Sequence, residues 1–287
     1  MDAATQEIYA ESGAVPMSRR RWLALAAGTA GAGLAAEAFG PWAREVRLTR
    51  REVRLPGLPE AFDGLRVAQV TDVHLPANRA AAARAVELLT AERPDVVLHT
   101  GDLLEDTDSV DELVAFARQA RGSLATFAVM GNWEWWARLR PEEARAAYAA
   151  AGVQFLFNEH AVVERDGARL VFVGLDDAVR GRPDVARATE GIAAGEARIW
   201  LAHAPGFAPL LPRATHPALV LSGHTHGGQI LLPFLPPPTP RGSGRFLSGR
   251  YEVPAGELYV SRGVGTSGLR ARVNCPAELP IFTLRRG

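Results

Sequence analysis

Leu65-Arg66-Val67-Ala68-Gln69-Val70-Thr71-Asp72-Val73-His74 is the stretch on which the fold turns. Its first six residues read as a mostly apolar strand at 65–70, and a carboxylate and an imidazole follow, two apart. The strand period of two predicts both side chains on one side of the chain, where they can grip one cation together. An Asp and a His near a strand end are more often a turn cap and a hydrogen-bonded partner, so this pair decides little alone. The next strand, at 96–99, runs into Thr100-Gly101-Asp102, where glycine frees the backbone to turn and a carboxylate follows at once. A third, at 125–130, ends in Gly131-Asn132. Three successive strands therefore close on a short oxygen-bearing side chain, at the strand ends where α/β sheets place their sites.

Downstream, His203 closes a strand at 199–202, and His224 and His226 stand in Gly223-His224-Thr225-His226-Gly227-Gly228-Gln229 after a strand at 219–221. A lone His-x-His pair is more often a loop detail than a ligand pair. Here four of the seven histidines occupy such positions, and five clusters at strand ends together predict a metal centre. Cys275 is the only cysteine, which excludes an intrachain disulfide or a thiolate cluster and leaves His, Asp, Glu and Asn as ligands. The thiol itself reads as inert packing.

The rest of the chain supplies a frame for these ends. Hydrophobic residues make up 47% of 287, enough for a sizeable core in one large domain. Patterning predicts strands at 46–55, 162–164, 170–173 and 258–261, the second and third joined by an Asp166-Gly167 turn. Helices are expected at 79–92, 111–120 and 141–151, the last opening with proline. Strand and helix alternate first and strands dominate later, the pattern of an α/β sandwich of two sheets flanked by helices. The five prolines of 232–240 make that stretch a loop. Formal net charge is zero, so no nucleic-acid partner is expected.

Residues 1–40 read as an N-terminal tail and export signal, and residues 41–287 as the catalytic domain. Ser18-Arg19-Arg20-Arg21-Trp22-Leu23 leads into an Ala/Gly/Leu run to residue 36 that resembles a twin-arginine signal, with Ala36-Glu37-Ala38 as a cleavage site. The run is short for a membrane span, which needs about 20 apolar residues. The expectation is an exported protein, periplasmic or at the cell envelope, with the twin-arginine machinery as a partner and an uncleaved signal as an alternative anchor.

In this order the clusters resemble the calcineurin-like metallophosphoesterase superfamily, especially its exported bacterial phosphodiesterase branch, over roughly residues 65–285. The resemblance implies a four-layer α/β/β/α sandwich of two mixed sheets flanked by helices. It implies that Asp72, His74 and His226 bind one divalent ion, that Asn132, His203 and His224 bind another, and that Asp102 bridges them, with Asp102, Asn132 and His203 the catalytic positions. All-N/O ligation suits Mn, Fe or Zn. Two such ions about 3.5–4 Å apart hold a hydroxide that attacks phosphorus in line, so no covalent intermediate is expected.

One position departs from the family. Gly131-Asn132-Trp133-Glu134 carries Trp133 where the family has a histidine that assists the leaving group. An indole donates a hydrogen bond but delivers no proton, and a general acid is worth about 10² to 10⁴ in rate. Glu134 and His160 are the weak candidates to replace it. Glu105 and Asp106 read as orienting groups or helix caps, Arg262 as internally paired, His99 as a satisfied core histidine and His216 as a loop residue. Trp133, Trp135 and Trp136 with 232–235 read first as packing under the loop, and alternatively as a wall for a lipid-like or aromatic group. Three functions compete: a phosphodiesterase at the cell envelope, a lipid-linked diphosphate hydrolase similar to enzymes that cleave UDP-diacylglucosamine, and a metal-binding module with weak catalysis. A phospholipid-like substrate brings a membrane surface as a further partner, and a monomer is expected.

Overall fold

The computed structural model describes residues 45–193, 195–213 and 218–287. The predicted tail and signal, residues 1–40, and His216 lie outside the described residues. Two six-stranded sheets form the body. The first has the order β1 (Val46–Leu55), β12 (Ala277–Arg286), β2 (Arg66–Val70), β3 (Val96–Thr100), β4 (Ala125–Val129) and β5 (Gln154–Phe155). The second runs β10 (Gly249–Val253), β11 (Gly256–Val260), β9 (Ala218–Ser222), β8 (Arg198–Leu201), β7 (Ala168–Gly174) and β6 (Glu159–Arg165). Both are mixed: β12 meets β2 antiparallel while β2, β3, β4 and β5 are parallel, and β7, β8, β9 and β11 are parallel between the antiparallel edges β6 and β10.

The unbroken apolar run of β3 follows from burial on both faces. Val96 and Leu98 join Phe127, Phe172, Ile199 and Leu219 in the core between the sheets. Val97 points the other way, to a core shared with α1 (Arg79–Glu92), α2 (Val110–Gln119) and α4 (Pro141–Ala150). The outer face of the second sheet is covered more thinly, by the single turn α5 (Val185–Ala188), a 3-10 segment at Pro205–Leu210 and Phe246 over Val171, Trp200 and Val220. Gln69 stitches the sheets beneath their common end, its amide donating to Thr100 Oγ1 (2.9 Å) and to Ser222 O (3.0 Å).

The expected strands and helices form within one to three residues of their predicted bounds, and 232–240 is irregular. Three strands escaped the pattern, the two-residue β5 among them. β12 is almost wholly buried, so it lacks alternation, and Pro280 reads as a break. In the structure Pro280 precedes the segment Ile281–Thr283 that pairs with β2, so at that point the strand serves one ladder only. β10 is an edge strand with little burial. Among the described residues no helix is long and apolar enough to cross a membrane.

Candidate metal centre

Parallel strands bring like ends together, so the loops after β2, β3 and β4 face those after β8 and β9 at one edge of the sandwich. Two clusters result: Asp72, His74 and His226, and Asp102, His203 and His224, with the ligand-type atoms of each within 4.8 Å of one another and all six residues buried. Asn132, first residue of α3 (Asn132–Trp136), lines the same pocket as Asp102, His224 and His226.

The strand-period argument for Asp72 and His74 does not survive. β2 ends at Val70, and both residues lie in the left-handed region, each with φ of 54°. Asp102, His224 and His226 share that conformation, at 55°, 71° and 50°. Asp and His tolerate it better than most residues, yet such strain costs on the order of 1 kcal/mol per residue and collects at functional sites. Glycine serves two needs here. Gly101 turns the chain at φ of 93°, whereas Gly131, at φ of −106°, supplies room: a Cβ there would overlap Asp102 Oδ1 and approach His203 Nε2 to 2.8 Å.

Hydrogen bonds select which imidazole nitrogen faces inward. His203 donates from Nδ1 to Thr100 O (2.8 Å), and its Nε2 meets Asp102 Oδ2 at 3.0 Å. His224 donates from Nε2 to Arg241 O (2.7 Å), leaving Nδ1. His74 Nδ1 lies 3.4 Å from Glu105 Oε1, an ionic contact outside hydrogen-bond geometry. Asp106 makes no side-chain cap bond. His74 Nε2 and His226 Nε2 are 2.9 Å apart, a distance at which two lone pairs require a cation or proton between them. Asn132 Oδ1 is buried with no hydrogen-bond partner. Both features fit a bound cation.

Electrostatics match the donor chemistry at three of the six titratable ligands, His224, His226 and Asp102, whereas burial raises Asp72, and against their burial the neighbouring carboxylates raise His74 and His203. Burial, with neighbouring His203, depresses His224 to about 4, and burial with His74 and Arg272 puts His226 well below its ordinary range. Burial alone would raise Asp102, but His203 beside it holds the carboxyl below the usual range. Neutral imidazole and ionised carboxylate are the forms that bind metals.

The supporting residues were less legible. Glu134 is fully buried and faces the backbone: Oε2 accepts N–H groups of Asp102 (3.0 Å) and Gly131 (2.8 Å), and Oε1 those of Leu103 (2.6 Å) and Leu104 (3.2 Å). His160 bonds Ala188 O (3.0 Å), far from the pocket lining. Neither stands where the family histidine would. A Glu at the third position of a helix, reaching back to the cap, is the sequence signal that could have revealed Glu134. Arg272 is buried and donates to the carbonyls of Arg262 (2.7 Å), Cys275 (3.1 Å) and His226 (3.3 Å), tying the histidine loop to the segment after β11. Arg262 pairs with Glu278 (2.9 Å), and Cys275 is a buried free thiol, both as expected. His99 bonds Ala120 O (2.9 Å) in the core, though its Nδ1 has no partner.

The three tryptophans divide. Trp133 and Trp136 line an open pocket of about 430 Å³ with Asp102, Asn132, His224 and His226. Trp133 stands edge-on to His74, ring centroids 5.4 Å apart. Trp135 instead points inward, bonding Asp176 Oδ1 (2.9 Å) and packing on Phe157. The opposite wall is Pro238, Thr239 and Pro240, not 232–235.

Two mixed sheets whose loops bring two His/Asp clusters to one edge define the class of two-metal phosphoester hydrolases. The chain belongs to the calcineurin-like phosphoesterase family, whose features match residues 65–235. It is 30% identical to the metallophosphoesterase YkuE of Bacillus subtilis (strain 168), over 94% of this chain and 98% of that protein. It is 31% identical to a transmembrane protein with metallophosphoesterase domain from Danio rerio, over 82% of this chain and 56% of that one. It is also 30% identical to the phosphodiesterase YaeI of Escherichia coli (strain K12), over 70% and 74%. The protein is thus a metal-dependent phosphoester hydrolase of a family that uses two divalent ions.

Proposed function

We propose that the chain is an exported phosphodiesterase acting on phosphate esters at the cell envelope, with residues 41–287 as its catalytic domain. Asp72, His74 and His226 hold one ion, Asn132, His203 and His224 the other, and Asp102 serves both. The observation that carries the assignment of Asn132 is its buried, unpartnered Oδ1 beside the second cluster. When bound, two such ions, Mn, Fe or Zn, activate water and neutralise the charge that builds on the phosphoryl oxygens.

The chain's own residues position that chemistry. Thr100 O and Arg241 O fix the tautomers of His203 and His224, and the Glu105 carboxylate faces the His74 ring at 3.4 Å. The Trp133 backbone N–H bonds Asp102 Oδ1 (2.8 Å) and holds the bridging carboxylate in place. Its indole offers no proton, so esters with good leaving groups turn over fastest. A second reading, a lipid-linked diphosphate hydrolase, is supported by Trp133 and the half-exposed Trp136 on the pocket wall.

The deciding measurement uses the full chain loaded with Mn on bis-p-nitrophenyl phosphate and p-nitrophenyl phosphate, with Asp102→Ala alongside. Diester hydrolysis that disappears in the variant is the expected result. Two bound metals with neither ester cleaved would instead support a metal-binding module.

A further inference from the structure

We propose that the mouth of the metal pocket docks on an anionic lipid bilayer, so that substrate enters directly from the headgroup layer. Among the described residues the large exposed apolar side chains are Leu124, Trp136, Leu210, Phe234, Leu235 and Leu269. Four of these six gather at the mouth. Trp136 lines the pocket itself. Leu269 sits beside it, its carbonyl accepting the side-chain amide of pocket-lining Gln229 (2.6 Å). Phe234 and Leu235 lie just before pocket-lining Pro238, on a loop anchored by Ile230 and Leu232 packing on Ala271 and Val273.

Phe234 is wholly exposed and held at φ of 66°, a conformation that costs a bulky residue energy. The turn that holds it there is closed by the Leu235 N–H on Leu232 O (3.3 Å), but among the described residues the ring itself covers no core. Burial in an acyl boundary would offset the cost.

Charge identifies the occupant. The chain is neutral overall, yet no Asp or Glu occurs between Glu196 and Glu252 or between Glu257 and Glu278, the segments that build most of the mouth. Arg180, Arg241 and Arg270 have no carboxylate partner among the described residues. Arg180 lies over the Trp136 ring at 5.6 Å, and with Arg241 it lines a hollow that shares Trp136, His224 and Pro240 with the metal pocket. Projecting apolar tips among unpaired arginines suit a surface that is soft, apolar beneath and negative above. A protein partner would need a complementary patch of more than about 1,000 Å² in total, which a protruding loop tip does not offer. The entry of substrate from the headgroup layer rests on the phosphoesterase reading above; the docking does not.

The buried Cys275 leaves the surface free of thiols among the described residues, so the full chain can be labelled at one chosen site. Leu235→Cys carries a polarity-sensitive fluorophore, and Leu124→Cys, at the far ends of the strands, is the control. Vesicles of phosphatidylcholine with phosphatidylglycerol and nitroxide-labelled lipid should shift and quench the label at 235 several-fold more than at 124. Adding Phe234→Ser should weaken the quenching, and Arg270→Gln should lower vesicle affinity roughly fivefold. Equal quenching at both sites, or none at 235, overturns the docking. So does burial of the 235 label without vesicles through self-association or capture of a protein. Hydrolysis of bis-p-nitrophenyl phosphate without vesicles is read in parallel. Phe234→Ser should leave it unchanged, and its absence in the parent chain would count against the phosphoesterase reading alone.

Discussion

Glu134 holds Asp102 by the backbone: its Oε2 accepts the Asp102 N–H at 3.0 Å, while the same oxygen accepts the Gly131 N–H at 2.8 Å. One buried carboxylate thereby locks the loop after β3 to the loop after β4, the two that carry Asp102 and Asn132. The cost is visible in its titration, since burial and the nearby Asp102 charge raise Glu134 to about 6.

Replacing Glu134 with Ala strands several buried N–H groups, each worth about 1–3 kcal/mol when unsatisfied. The variant should lose about 2–4 kcal/mol of stability in chemical denaturation and bind fewer than two metals per chain. A loss below about 0.5 kcal/mol would show that water replaces the carboxylate without penalty.

Glu105 acts on the site through the His74 ring. Glu105→Ala should lower metal affinity about 10- to 100-fold, read by titrating metal into chelator-stripped protein, with the fold retained by circular dichroism. Unchanged affinity would assign the orientation of His74 to packing against Trp133 instead.

Trp133→His restores a proton donor beside the metal pocket while keeping the backbone N–H that bonds Asp102. Hydrolysis of diesters with alkyl leaving groups should rise at least about tenfold, at the low end of what a general acid supplies. Activated esters should change little. A lower rate on both, with metals retained, would refute the assignment.

His99 sets a pH dependence away from the metals. Burial holds it down to about 4, against which its bond to Ala120 O works, while in the unfolded chain it titrates near 6.5. Between those values the unfolded state binds more protons. The stability contributed is therefore full above about pH 6.5 and is lost as pH falls toward 4, about 3 kcal/mol in all. In chelator, wild type should lose about 2 kcal/mol more than His99→Gln between pH 7 and 5. Parallel losses would place the acid sensitivity elsewhere.

The sequence by itself determined the donor types, their order and hence the class, because each ligand follows a strand end and the strands β2, β3, β4, β8 and β9 declare themselves by local apolar runs. It also marked the one departure, Trp133. Tertiary structure alone decided how the ligands meet. Asp72 and His74 converge through left-handed backbone rather than strand alternation, and Trp135 turns into the core while Trp136 faces the pocket. Glu134 and Arg272 serve backbone groups that lie up to 32 and 46 residues away. Such bonds leave no periodic trace in sequence, since a side chain satisfying a distant N–H or carbonyl obeys the packing of two loops and not the repeat of its own element.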